Sequence, residues 1–130
     1  MPQFTARIAL RDSYDVVLAR QRAREMARDL GFGLTDQTRI ATAVSEVARR
    51  AMENQGSIAL DVISDGTRRG IECACRGCGL QRPASAGPFG EIPGGPAGVE
   101  RLVDDFVMEN DADGEVLVMR KWLREAVAHS

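Results

Sequence analysis

The apolar residues of this chain change their spacing near residue 55, and this change limits the folds that the sequence can adopt. Between residues 13 and 53, apolar residues recur every three or four positions, as on the buried stripe of an amphipathic helix. From residue 57 onward, "SIALDVISDGTRRGIECACR" alternates apolar with other residues, as strands do. Helices followed by a run of strands predict an α+β fold.

The 3.6-residue period predicts two consecutive helices. The first is capped by Asp12 or Ser13 and ends at Gly31, and the second is capped by Thr35. Glu46 and Arg50 lie four residues apart in the second helix, which predicts an exposed ion pair. The predicted buried stripes are Val16, Ala19, Ala23, Met26 and Leu30, then Ile40, Val44, Val47, Ala48, Ala51 and Met52.

Strands are predicted on both sides of the helices. "QFTARIAL" precedes them as an alternating strand, and Asp65-Gly66 predicts a tight hairpin turn between the two strands that follow. The stretch from Gly77 to Gly98 is rich in glycine and proline and predicts a long loop. A short helix over residues 99–106 and a last strand, "EVLVMRKWL", complete the chain.

Length and composition predict one domain over residues 1–130, because 130 residues with 44% apolar content suffice for one core. We expect a two-layer α+β sandwich in which helices cover one face of a mostly antiparallel mixed sheet. The N-terminal sequence does not resemble a signal peptide and no apolar run reaches membrane-spanning length, which favours a cytoplasmic protein that does not bind membranes. A net charge of -2 gives no reason to expect nucleic acid.

The cysteine cluster "CACRGC" has two interpretations. Cys73, Cys75 and Cys78 can be buried small residues, or three thiolates of a structural zinc site. Burial is favoured because a closed zinc site needs a fourth ligand, and the lone histidine, His129, lies near the chain end. Trp122 is predicted to pack over an edge of the core.

An ordered set of motifs resembles a known family. "DVVLARQRAREMARDLGFGLTDQTRIATAVSEVARRAM", "RRGIECACRGCGL", "GVERLVDDF" and "KWL" together resemble the anti-sigma-factor serine kinases, in particular the small switch kinases of the RsbT type found in stressosomes. That family belongs to the histidine-kinase-like (GHKL) ATPase superfamily. The resemblance implies ATP and Mg²⁺ as cofactors and phosphorylation of a serine or threonine on a STAS-domain antagonist.

The family motif on the second helix resembles Glu-Leu-Ala-Arg-Asn. The resemblance implies that Glu46 is the general base and that Arg50 occupies the position of the magnesium-binding asparagine. A guanidinium has no acceptor atom and is positively charged, so Arg50 is not suited to Mg²⁺.

The nucleotide motifs of the second half are also altered. In "CRGCG", Cys75 occupies the position of the aspartate that binds adenine, whereas Gly77 and Gly79 are retained. A thiol is a weak acceptor and cannot replace that charged hydrogen bond. In the glycine-rich phosphate lid, "GEIPGGPAGV", Gly95 and Gly98 fit the family pattern, but Pro93 and Pro96 remove amide donors.

Two functional classes follow from these departures. The first is a pseudokinase-like regulatory module that binds a STAS-domain antagonist or scaffold, and a downstream phosphatase or activator. The second is an active serine/threonine kinase in which Arg50 binds the phosphates directly. Arg20, Arg24 and Arg28 form a row on the outer face of the first helix, and this row is either a solvated surface or the docking surface for an acidic partner.

Overall fold

The computed structural model describes residues 5–78 and 96–123. Its elements, in chain order, are β1 (Thr5–Ala9), α1 (Ser13–Leu30), α2 (Leu34–Glu53), β2 (Ser57–Asp65), β3 (Arg68–Arg76), α3 (Pro96–Glu100), β4 (Asp105–Asp111) and β5 (Gly114–Trp122). The described strands form one sheet in the order β1-β2-β3-β5-β4, and each of its four pairings is antiparallel. The predicted α+β class is therefore confirmed.

Helix α1 begins and ends where the sequence predicts. The Asp12 carboxylate accepts hydrogen bonds from the backbone N–H groups of Tyr14 and Asp15, so it caps the free amides of the first turn. Gly31 ends the helix in the left-handed region, at φ +103°, and its N–H donates to Arg28. A residue with a Cβ would be strained in this conformation.

Helix α2 begins two residues earlier than the sequence suggests. Its N-cap is Gly33, which has no side chain to accept a hydrogen bond, so the prediction of Thr35 as the cap is wrong. Thr35 instead lies inside the first turn. The turn before α2 is stabilised by Gln37, whose buried side-chain amide donates a hydrogen bond to the backbone oxygen of Phe32 at 2.8 Å.

The two helices pack on one face of the sheet and form the core with it. Alternation places Ile58 and Leu60 of β2 on that face, opposite Cys75 and Cys73 of β3 in the strand register. Gly66 adopts φ +62° between β2 and β3, which confirms the predicted hairpin. Buried helix residues are Val16, Ala19, Ala23 and Met26 of α1 and Ile40, Val44, Val47, Ala48 and Ala51 of α2, as predicted, while Leu30 and Met52 are half-buried.

The segment after the glycine-rich stretch differs from the prediction. Helix α3 ends at Glu100, and Phe106 lies in β4, a strand that the sequence analysis did not identify. The apolar spacing of residues 99–106 matches a helix, but pairing with β5 across the Asp111–Gly114 turn holds residues 105–111 extended. Phe4 and the C-terminal His129 lie outside the described residues.

A buried charge links the helical layer to the far end of the sheet. Lys121 lies on the core face of β5 with its side chain 8% exposed, and its Nζ is 3.7 Å from carboxylate oxygens of both Asp36 and Asp104. Asp36 is in the first turn of α2, whereas Asp104 lies just before β4. Two carboxylates offset the cost of burying the ammonium group. Within residues 5–78 and 96–123, no helix has the length and apolarity needed to cross a membrane.

Candidate functional site

One row of polar side chains on α2 leads to the loop that follows β3. Glu46, Arg50 and Asn54 are spaced four residues apart and therefore share one side of the helix. At the end of the row, the Asn54 side-chain amide donates to the backbone oxygen of Gly77 at 2.7 Å. The fold thus brings the end of this row on α2 into contact with Gly77, which follows β3.

The first two residues of this row do not pair with each other. Glu46 accepts a hydrogen bond from Arg49 at 2.9 Å, so the predicted Glu46–Arg50 ion pair is wrong. Side chains three or four residues apart both lie close together on a helix, and here Glu46 pairs with Arg49, three residues on, and not with Arg50. Among the described residues, no carboxylate lies within 4.0 Å of the half-buried Arg50 guanidinium.

Cys75 lies in the interior, between the sheet and α2. It pairs with Ile58 and Leu117 in the strand register, its side chain is 1% exposed, and its Sγ lies 3.7 Å from the backbone oxygen of Val47. A hydrogen bond with Cys78 and burial raise the pKa of the Cys75 thiol well above its usual range. The thiol therefore stays neutral at physiological pH and is used in packing.

The other two cysteines share this environment. Cys73 and Cys78 are both buried, which confirms the prediction that the cluster consists of small core residues. Burial raises the pKa of the Cys73 thiol as well. Neutral thiols are poor nucleophiles and poor metal ligands.

A close approach of two glycines fixes the end of β3. Gly77 adopts φ +81°, and a Cβ on it would lie 3.1 Å from the Cα of Gly56. The space around Gly56 is smaller still, because a Cβ added there would lie 2.0 Å from the backbone oxygen of Arg76. The main chain of Gly56 also accepts from Leu10 and donates to Ala51. Sequence reasoning missed Asn54 and Gly56, for which the available signal was the helix-ending "ENQG".

The lid motif is only partly described. Gly98 is exposed within α3, and a Cβ on it would meet no atom of the described residues within 4 Å, so packing against them does not require glycine there. Gly79, Gly95 and Pro93 lie outside the described residues, and Pro96 opens α3. How these glycines would contact phosphates stays a prediction.

The donor set does not fit a magnesium–nucleotide complex of the kind that the resemblance implies. Mg²⁺ prefers oxygen ligands, but position 50 carries a guanidinium with no acceptor atom. The Cys75 thiol is packed beneath α2 and cannot provide the charged acceptor for adenine. An arginine with no carboxylate partner in residues 5–78 and 96–123 suits an anion instead.

A groove lies between α1 and α2, beside the row formed by Glu46, Arg50 and Asn54. It is lined by Ser13, Val16, Val17, Arg20, Ser45, Arg49 and Met52. Arg20 is the first member of the α1 arginine row, and Arg49 is the residue that binds Glu46. Arg28, at the other end of the row, lies 3.6 Å from Asp29. Arg20, at one end of the α1 arginine row, therefore lines the same groove as Arg49, the α2 residue that binds Glu46.

Comparison with solved structures identifies the class of fold. The crystal structure of the RsbU and RsbW domains of Rv1364c from Mycobacterium tuberculosis matches 97% of this chain and 34% of that chain, with a TM-score of 0.63 and 19% identity. This likeness shows that the chain has the RsbW-type, histidine-kinase-like ATPase fold. No protein-family model matches the chain.

Sequence comparison identifies the family. The chain is 34% identical to the serine/threonine-protein kinase RsbT of Bacillus subtilis (strain 168), over 90% of this chain and 96% of that protein. The chain therefore belongs to the RsbT serine/threonine-protein kinase family, and the resemblance found in its motifs is confirmed.

Proposed function

We propose that this protein is a cytoplasmic regulatory switch that acts mainly by binding other proteins of a partner-switching pathway. Its partners would be a STAS-domain antagonist or scaffold and a downstream phosphatase or activator. Membership of the RsbT family supports a role in partner switching. The proposal adds that binding, and not phosphoryl transfer, is the main activity.

The position of Cys75 carries this proposal. In the pattern of the family this position holds an aspartate that binds adenine, whereas here a neutral thiol packs against the Val47 carbonyl. Loss of a charged hydrogen bond costs about 1.5–3 kcal/mol of binding free energy. Arg50 removes a metal ligand as well, so two independent contacts with Mg·ATP are weakened.

A second candidate function rests on Arg50. Its guanidinium is half-buried and has no carboxylate partner among the described residues, so it is available for a phosphate. In this alternative the protein is an active serine/threonine kinase, with Glu46 as general base and the glycines at positions 77, 79, 95 and 98 around the phosphates.

A nucleotide titration distinguishes the two functions. We expect ATP to bind with a Kd of about 1 mM or weaker, with little change on adding Mg²⁺, because the adenine and metal contacts are both altered. Isothermal calorimetry with and without Mg²⁺ measures this, and transfer of labelled phosphate to a STAS protein is assayed in parallel. Micromolar, magnesium-dependent binding would support the kinase instead.

Restoring the family residues provides the matched variant for that titration. Arg50→Asn combined with Cys75→Asp is expected to strengthen ATP binding and to make it magnesium-dependent. Arg50→Asn alone should restore only part of this gain. If the double variant folds but gains no affinity, the glycine-rich segment and not these two positions limits the site.

We further propose that the α1 arginine row and the adjoining groove form the docking surface for the acidic partner. Arg20 and Arg24 are exposed, and neither has an ion-pair partner among the described residues. Exposed cations such as these two attract an acidic surface and raise the rate of association. Arg20 lines the same groove as Arg49, and Arg49 contacts Glu46. A partner bound in this groove would therefore lie beside the candidate site.

Charge reversal tests this docking surface. Arg20→Glu, Arg24→Glu and Arg28→Glu together are expected to weaken binding of the cognate STAS protein at least about tenfold, mainly through a slower association rate that depends on salt. Surface plasmon resonance at two ionic strengths measures both effects. The matched control reverses three exposed arginines elsewhere, with Arg22→Glu, Arg69→Glu and Arg101→Glu. Equal affinities for the two triple variants, at unchanged Tm, would show that the row is only a solvated surface.

A further inference from the structure

Strand β4 is an edge of the sheet with an unusual pair of exposed apolar residues at its centre. It lies outside β5 in the strand order, so one side of its backbone has no partner strand within the described residues. Val107 is 41% exposed and Met108 39% exposed, on opposite faces of the sheet. An exposed edge with central apolar side chains is a template for pairing with another strand.

The charged residues of β4 and the positions directly flanking it are all acidic. Residues 104–115 contain no lysine or arginine. The acidic residues of this span are Asp104, Asp105, Glu109, Asp111, Asp113 and Glu115. Some have partners in the fold: Asp105 accepts from the Trp122 indole at 3.1 Å, and Asp111 pairs with Arg76. Glu109 has no ion-pair partner among the described residues and lies on the same face as Val107.

This charge argues against a second copy of the chain as the occupant. An antiparallel pairing of two β4 strands centred on Met108 would set Asp105 of one copy opposite Asp111 of the other, at both ends of the contact. Like charges in directly opposed positions destabilise a strand pair. The chain's own C-terminal segment, "REAVAHS", contains one arginine and one glutamate and so provides no net positive charge.

We propose that β4 binds an extended, basic segment of a partner protein, which adds to the sheet as a sixth strand. Main-chain hydrogen bonds would provide the affinity, and alternate side chains the specificity. On the outer face, cations of the added strand would lie opposite Asp105, Glu109 and Asp111, with an apolar residue opposite Val107. On the inner face, apolar residues would cover Met108. This surface is separate from the α1 arginine row, which attracts acidic partners.

The probe is a capped heptapeptide designed for antiparallel pairing, Lys-Thr-Lys-Val-Val-Ile-Lys. Added to the ¹⁵N-labelled full chain, it is expected to shift the β4 amide signals and to slow their hydrogen exchange. The same peptide with N-methyl groups at alternate residues keeps its charge but cannot pair along its backbone, so it should not protect β4. A peptide with glutamate in place of lysine should not bind.

Two variants test the charge at this edge. Glu109→Lys is expected to weaken peptide binding about fivefold, because an attractive cross-strand pair becomes repulsive. Glu53→Lys, the same charge change at an exposed site on α2, should leave binding unchanged. Both sites are exposed, so both variants should fold, which their Tm values check.

Four results would overturn the proposal. If the peptide protects no β4 amide at millimolar concentration, the acidic residues only keep the edge unpaired. Equal binding of the N-methylated peptide would mean a diffuse charge effect. A dimer in sedimentation that Val107→Lys dissociates would make a second copy the occupant. Binding only after removal of residues 124–130 would make the chain's own tail the occupant.

Discussion

Cys75→Asp is expected to lower the free energy of unfolding at neutral pH by about 3–5 kcal/mol in the absence of ligand, because it leaves a buried charge without a partner. The side chain at this position is 1% exposed and faces the Val47 carbonyl, which is an acceptor and repels a carboxylate. Chemical denaturation followed by tryptophan fluorescence, with Trp122 as the reporter, measures the loss.

The loss of unfolding free energy in Cys75→Asp should depend on pH in a defined direction. Burial raises the pKa of the introduced carboxyl in the folded state above its unfolded value of about 3.9. Below about pH 4 the group is protonated in both states and the charge penalty disappears. The destabilisation therefore grows as pH rises above about 4 and becomes constant above the folded-state pKa.

Cys75→Ser is the control for this prediction. Its hydroxyl can donate to the Val47 carbonyl, so we expect a loss of no more than about 2 kcal/mol with little pH dependence. If Cys75→Asp and Cys75→Ser are equally stable at pH 7, the carboxylate reaches solvent or an ordered cation. Position 75 would then be accessible, and the argument from its burial would fail.

Gly56→Ala is expected to destabilise the fold by about 3 kcal/mol, at the upper end of the range for overpacking. The added Cβ would lie 2.0 Å from the backbone oxygen of Arg76, and backbone cannot move aside as a flexible side chain does. The shift would also disturb Gly77, whose carbonyl binds Asn54. Thermal unfolding monitored by circular dichroism measures the effect.

Gly33→Ala provides the matched substitution. Gly33 caps α2 with φ -70°, and within the part of the chain that the structure describes a Cβ there would meet no atom within 4 Å. We expect a change of less than about 1 kcal/mol, from the weaker preference for alanine at a helix N-cap. Similar losses for Gly56→Ala and Gly33→Ala would contradict the close approach of β3 to the end of α2.

The fold was predictable from sequence to the extent that its signals are local. Helix α1 was predicted with both ends, because Asp12 and Gly31 act on their own turns. Strand β4 was missed because its conformation depends on pairing with β5, and its apolar spacing alone matches a helix. Tertiary pairing decided its conformation.

In the candidate site, too, local features can be predicted from the sequence, whereas features that depend on tertiary contacts cannot. That Arg50 and Cys75 occupy altered motif positions rests on the resemblance and stays a prediction, although residue identity at a motif position is visible in the sequence. The partner of Glu46 was not visible, because spacings of three and four residues both bring side chains together on a helix. Contact between Asn54 and Gly77 joins residues 23 positions apart in the chain, and no local pattern predicts it.

The close packing of Gly56 and Gly77 has a consequence for reading catalytic competence from motifs in related proteins. Gly77 is held in the left-handed region against another backbone, so glycine is required there whether or not a nucleotide ever binds. A surviving glycine in this motif is therefore poor evidence of kinase activity. Position 50 is more informative, because its side chain has no ion-pair partner among the described residues and is free to change with function.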